Sequence, residues 1–196
     1  SDLLRNRAGQ QTLLHLRRGD RPAHKAVVVP VNGRTQARLR YADWEEGCLE
    51  QVQKAGKGRL GYLHLRAMGA EDINTFAREF YGQYDREGLI VDVRRNHGGN
   101  IDSWVIEKLL RRAWSFWTNN RGEGVETNMQ QTFRGHLVVL VDELTYSDGE
   151  TFAAGIKALK LAPLVGSRTS GAGVWLSDGN RLVDGGQIRA AEMPQY

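Results

Sequence analysis

The sequence predicts an α/β fold with a mainly parallel central sheet. Three observations lead there: strand-like and helix-like segments alternate from Arg59 onward, two of the strand-like runs are almost wholly apolar, and the turns that follow them carry glycine. Layered domains with crossover helices produce this order of elements. Leu60-Gly61-Tyr62-Leu63-His64-Leu65 alternates as a strand does. Glu71 to Tyr84 sets Ile73, Phe76, Ala77, Phe80 and Tyr84 on one face, which is a helical period. Gly88-Leu89-Ile90-Val91-Asp92-Val93 reads as a buried strand, and Ile101 to Trp114 as a second helix aligned on Ile101, Val105, Leu109 and Ala113. A polar loop from Thr118 to Gln130 precedes a strand over residues 136–141 and a helix from Asp148 to Leu161. Leu164-Val165 forms a short strand, and Val174-Trp175-Leu176 with Arg181-Leu182-Val183 a hairpin turning at Ser177-Asp178-Gly179-Asn180.

Ahead of this core the pattern differs. Residues 1–40 are polar and strand-like, and Thr12 to Arg17 with Lys25 to Val31 flank the turn-rich Arg18-Gly19-Asp20-Arg21-Pro22. Two strands bury too little to make a core, so this hairpin reads as the end of another module. Residues 41–58 read as a linker with a short helix, and residues 59–196 as the main domain.

Composition bounds the function. At 196 residues, 40% hydrophobic and 26% charged, the chain suits one globular domain, or one domain and part of another. No apolar run approaches the roughly 18 residues of a membrane span. Ser1-Asp2-Leu3-Leu4-Arg5 has no apolar leader pattern. A single cysteine and no leader fit a cytoplasmic protein, although a periplasmic chain whose leader has been removed would read the same. Cys48 alone excludes an internal disulfide, and the five scattered histidines have no ligand spacing, so no metal and no cofactor is implied. Residues 1–60 hold 12 Lys and Arg against 6 Asp and Glu, while the rest hold 15 against 17. Those basic residues are spaced singly with no nucleic-acid module among them, which argues for a solvated face or a dock for acidic groups rather than nucleic-acid binding.

Two turns carry candidate chemistry. Tyr146-Ser147-Asp148-Gly149-Glu150 follows the apolar run Leu137 to Val141 and precedes an amphipathic stretch. A serine at such a strand-to-helix turn exposes its hydroxyl beside amide N–H groups that have no helical partner. Acyl transfer needs both a nucleophile and such amides. The same Ser-x-x-Glu is also a capping box, with Ser147 as N-cap and Glu150 at N3. Arg94-Arg95-Asn96-His97-Gly98-Gly99-Asn100 follows the strand ending at Val93. Its paired glycines let backbone amides approach a ligand, or simply make a tight turn. Both turns sit at the carboxyl ends of neighbouring strands, where open α/β sheets place their ligand crevices. His97 stands beside the glycine turn, either as a surface residue or as a base.

From about Gly58 to its end the chain resembles the catalytic core of the tail-specific, or C-terminal-processing, serine peptidases, and within them the tricorn protease branch. The resemblance rests on Gly61 to Leu65, Gly88 to Arg94 with Asn96 and Gly98-Gly99, Val138 to Val141, Ser147-Asp148-Gly149-Glu150, Leu164-Val165-Gly166 with Arg168-Thr169 and Gly171, and Leu182 to Gly186. Leu39-Arg40-Tyr41-Ala42-Asp43-Trp44 looks like the link from a PDZ-like module to that core, which makes residues 1–40 similar to the module's C-terminal part. The fold implied is a crotonase/Clp-like layered core. The resemblance further implies Ser147 as nucleophile, with the amides of Asp148 and of the Gly98-Gly99 turn as oxyanion donors. In the processing branch a lysine deprotonates the serine, and the matching position here is Ala172. In the tricorn branch a histidine with a supporting serine comes from ahead of the PDZ module, and a glutamate from beyond the core, so the base is expected from outside residues 1–196. Peptides or unstructured protein ends are the implied substrates, and homo-oligomers the implied assembly. The rival expectation is a non-catalytic peptide- or ligand-binding module on the same fold.

Overall fold

The computed structural model describes the backbone of residues 2–193, and the side chains of all of these but 2 and 177–179. The expectations that fall on residues 194–196 lie outside the described residues. The chain divides into two units, Ser1–Cys48 and Leu49–Tyr196.

In the first unit a short 3-10 turn, Asp2–Leu4, precedes β1 (Thr12–Leu16) and β2 (His24–Val28). The two strands pair antiparallel, Thr12 opposite Val28 and Leu16 opposite His24, as the sequence predicts. Thr12 alone is buried among residues 3–48, while Leu13, Val27, Val29 and Val31 are exposed, so this unit builds no core of its own. The helix α1 spans Gly33–Gly56, beginning inside the tract expected to be strand-like. Its start is fixed by Asn32, whose Oδ1 accepts from the Thr35 amide at 2.8 Å and whose carbonyl accepts from Gln36 at 2.9 Å. Arg34, Gln36, Arg38 and Arg40 leave no apolar stripe there, so periodicity could not announce it.

The second unit alternates as expected. Its elements are β3 (Leu60–His64), α2 (Ala70–Tyr81), β4 (Gly88–Asp92), α3 (Asp102–Leu110), β5 (Ser115–Trp117), β6 (Glu126–Asn128), β7 (His136–Val141), α4 (Asp148–Ala158), β8 (Leu164–Gly166), β9 (Trp175–Arg181) and β10 (Gln187–Met193). The central sheet runs β3-β4-β7-β8 with every pair parallel, and Leu63, Val91, Val139 and Leu164 lie abreast across it. Alternate residues of the strands, Leu63, Leu89, Val91 and Val139, join Phe76 and Phe80 of α2, Val105 and Leu109 of α3, and Phe152 and Ile156 of α4 in one core. Each such side chain contributes about 1.5–3 kcal/mol on burial. Phe76 stacks on Phe80 at 4.9 Å and meets Trp104 edge-on at 5.5 Å.

Several boundaries differ from expectation. Helices α2 and α4 end at Tyr81 and Ala158, short of the expected Tyr84 and Leu161. Helix α3 stops at Leu110, where Arg111 leaves helical geometry (φ −56°, ψ 141°), and residues 115–117 become a strand. That strand, β5, pairs with β6 inside the stretch read as a polar loop, Ser115 opposite Asn128. In the last hairpin, β9 runs straight through 177–180 and the chain turns at 182–186 instead. There Gly185 takes φ +82°, and the Leu182 amide donates to the Gly186 carbonyl at 2.8 Å. Asp184-Gly185-Gly186 supplies the stronger turn. The parallel register sets the loops after β4 and after β7 side by side at one edge of the sheet.

Candidate active site

Two fully buried residues, Asn96 and Thr145, tie those loops together. Asn96 is fully buried. Its Nδ2 donates to the Leu65 carbonyl at 2.8 Å, just past β3, and its Oδ1 accepts from the Gly98 amide at 2.8 Å. Its backbone carbonyl accepts from the Tyr146 amide at 2.9 Å, one residue ahead of Ser147. Thr145, also fully buried, donates from its hydroxyl to the Val93 carbonyl at 2.8 Å. Asp142 Oδ1 accepts from the Arg95 amide at 2.8 Å. The loop after β7 is thereby fastened along its length to the loop after β4.

At the root of that loop, fully buried Asp92 accepts from the Tyr62 hydroxyl at 2.8 Å and from Arg94 Nε and Nη2 at 3.0 and 2.6 Å. A buried carboxylate needs such partners.

Ser147 sits at φ 52°, ψ −119°, at the N-cap of α4. The Gly149 amide closes on the Tyr146 carbonyl at 3.0 Å, so Ser147 holds the second position of a type II′ turn, a place that favours glycine. Strain of this kind is retained where the surroundings over-determine it, often at nucleophile elbows. Of the capping box only the reciprocal half forms: Glu150 Oε2 accepts from the Ser147 amide at 3.1 Å. The Ser147 hydroxyl has no hydrogen-bond partner among the described residues.

The glycine turn presses against this serine. A Cβ on Gly98 would lie 2.6 Å from Ser147 Cβ and 3.1 Å from the Asp148 nitrogen, so only glycine fits. The two glycines differ in what their amides do. Gly98 N–H is spent on Asn96, whereas Gly99 N–H has no acceptor among the described residues, and neither does Asp148 N–H. The expectation treated both glycine amides as available, and the Asn96 side chain takes one of them. Gly98 serves the turn by its small size.

Glu150 is a hub. Besides the Ser147 amide, its carboxylate accepts from the Gly171 and Ala172 amides, each at 2.7 Å, and from the Ser170 hydroxyl at 3.1 Å. Burial pushes this carboxyl up, but the bonds from Thr169, Gly171, Ala172 and Ser170 outweigh it and hold its pKa below the ordinary carboxylate value. The sequence marks Glu150 only as a cap, because its partners lie some twenty residues downstream. Asp148 is buried, and its Oδ2 accepts from the Ile101 and Asp102 amides at 2.9 and 3.2 Å at the start of α3. Burial, reinforced by the nearby Asp102 charge, pushes its carboxyl up to about 6. Carboxyls shifted in this way collect at functional clefts.

A cleft of about 580 Å³ opens over Ser147, with His97, Gly99, Asp148 and Thr151 on its floor side. Val174 and, from the last hairpin, Trp175, Leu176, Arg189 and Met193 also line it, none of which the sequence pattern assigned to the site. His97 is exposed on the rim, and its amide donates to the Arg66 carbonyl at 3.0 Å. Among the described residues no group of three or more His, Cys, Asp or Glu side chains is disposed to hold a metal ion, and no helix is long and apolar enough to cross a membrane.

Residues 59–196 match the model of peptidase family S41. The chain belongs to that family. Within the S41 peptidases it is 39% identical over 167 residues to a tricorn protease homologue of Streptomyces coelicolor, which covers 85% of this chain and 14% of that protein. It is 34% identical to the tricorn protease of Thermoplasma volcanium, over 81% of this chain and 15% of that one. Its backbone follows the crystal structure of the tricorn protease with a TM-score of 0.77 at 30% identity, covering 96% of this chain and 18% of that chain. The chain therefore spans about a sixth of the length of these S41 relatives.

Proposed function

We propose that this chain is the nucleophile-bearing part of a tricorn-like serine peptidase. The observation that carries the reading is Ser147: a strained serine whose hydroxyl is unpartnered and which is flanked by two unspent amides, Gly99 N–H and Asp148 N–H. In the proposed reaction Ser147 Oγ attacks the peptide carbonyl as a base removes its proton. The two amides hold the oxygen that becomes negative, a contribution of about 3 kcal/mol per donor in enzymes of this kind. The tetrahedral species collapses to an ester on Ser147, and the amine leaves with the proton. Water then releases the acid by the reverse sequence.

The base comes from a part of the polypeptide outside these residues. Ala172 stands where the processing peptidases carry lysine, and no described side chain bonds to Ser147 Oγ. Its backbone is nonetheless joined to the nucleophile through Glu150, so the segment keeps its supporting place. The substrates are peptides or unstructured protein ends. Residues 1–40 act as the end of a PDZ-like module, residues 41–58 as the linker and 59–196 as the core, working as a cytoplasmic homo-oligomer. The test is labelling of the full-length polypeptide with a fluorophosphonate. One equivalent should attach at Ser147 and none to Ser147→Ala; labelling that persists in Ser147→Ala would defeat the assignment.

A further inference from the structure

Asp148 lends its amide to the proposed oxyanion pair, and that use leaves its side chain unexplained. The other amide of the pair, Gly99 N–H, belongs to the loop after β4, whereas Asp148 N–H opens α4 after β7. Two donors serve one oxygen only if each ends about 2.7–3.1 Å from it, so the gap between the two loops has to be held closely. Met68 does not hold it. Its carbonyl accepts from the Asn100 amide at 2.7 Å and its amide donates to the Gly98 carbonyl at 2.8 Å, which ties the glycine turn to the chain after β3 rather than to α4. Bonds that reach the start of α4 fall on either side of Gly99. Before it, the Asn96 carbonyl accepts from the Tyr146 amide at 2.9 Å. After it, Asp148 Oδ2 accepts from the Ile101 and Asp102 amides at 2.9 and 3.2 Å.

Capping is the simpler account of that second attachment, since a carboxylate on the first amides of a helix offsets its dipole. Yet α3 has no side-chain cap from its own N-cap residue, Ile101, where a serine or asparagine would serve. It takes one from the residue next to the nucleophile instead. That carboxyl is buried, stands near the Asp102 charge and is pushed up to about 6. A local cap would avoid this cost, and would leave the start of α3 unattached to α4. Resting on the peptidase reading above, we infer that Asp148 is a positioning residue: its side chain fixes the loop carrying Gly99 N–H against its own amide, so that both donors aim at one oxygen.

The test uses the full-length polypeptide and the fluorophosphonate, read as a limiting labelling rate and a half-saturating probe concentration. Asp148→Ala should lower the limiting rate about tenfold or more and leave the half-saturating concentration unchanged, as expected of an aim felt only in the transition state. Asp148→Asn, whose carboxamide oxygen can accept the same two amides, should recover most of that rate. If Asp148→Ala does not fold, Asp102→Pro decides. Proline suits the first position of a helix but removes one of the donated amides, so this variant should label more slowly than Asp102→Ala, which keeps it. Hydrogen exchange over residues 98–102 needs no reactive serine, and should be about tenfold faster in Asp148→Ala than in the parent. An unchanged limiting rate in Asp148→Ala, no recovery in Asp148→Asn, equal rates in the two Asp102 variants, or unchanged exchange overturns the inference. Quickened exchange in a polypeptide whose Ser147 never labels would defeat the peptidase reading and leave Asp148's hold on the loop standing.

Discussion

Ser147 occupies a backbone conformation (φ 52°, ψ −119°) that costs any residue with a Cβ about 1–3 kcal/mol. Replacing it by glycine should therefore stabilise the fold by about 1–2 kcal/mol in urea titration while abolishing hydrolysis. Alanine keeps the strain and loses a hydroxyl that bonds to nothing described, so Ser147→Ala should stay within about 0.5 kcal/mol of the parent. If glycine destabilises instead, the strain is not real. Gly98 is the converse. At φ +79°, with Ser147 Cβ 2.6 Å from where its own Cβ would be, Gly98→Ala should cost about 1–3 kcal/mol and slow labelling of the serine at least tenfold. A variant as stable and as reactive as the parent would refute the close approach.

The helix α4 begins with two carboxyls that respond to pH in opposite directions. Glu150 has a lowered pKa, so it stabilises the folded chain above the ordinary carboxylate value, and that support is lost as pH falls through its folded pKa. Asp148 has a raised pKa, about 6, so the folded state holds its proton more tightly than the unfolded chain does. Its contribution is present at low pH and disappears as pH rises from about 4 to about 6. Asp148→Asn should therefore remove that decline, making the change in unfolding free energy between pH 4.5 and 7 more favourable toward neutrality than in the parent. An identical change in both proteins would show that Asp148 does not titrate in this window. These couplings also mark the limit of what the sequence discloses. The sheet strands and the two turns are legible because each is local: an apolar run followed by glycine or serine. Strand β5 escaped because Ser115-Phe116-Trp117 is too short for a period of two to show, and the start of α1 because its first turns carry no apolar face. Glu150's bonds to Gly171 and Ala172 and the Asn96 side chain's capture of the Gly98 amide depend on tertiary neighbours. No spacing in the sequence encodes them.

At the scale of the whole molecule, the proposed nucleophile and its two proposed oxyanion amides lie within residues 59–196, and the proposed base does not. The 196-residue chain alone should hydrolyse peptides feebly. A serine site stripped of its partners keeps roughly a thousandfold over water, far below an intact enzyme. Turnover by this chain equal to that of the full-length polypeptide, and lost in Ser147→Ala, would place a base within these residues, with His97 on the cleft rim the first to test by His97→Gln. The buried Asn96 has a bearing on when such a molecule becomes dangerous. Its bonds draw together Leu65, Gly98 and Tyr146, positions far apart along the chain that meet only once three parallel strands are in register. Pairings over such separations form late in folding. Under the proposed peptidase reading, the polypeptide therefore carries its serine before it carries a site, and cleavage has to wait until the sheet has closed.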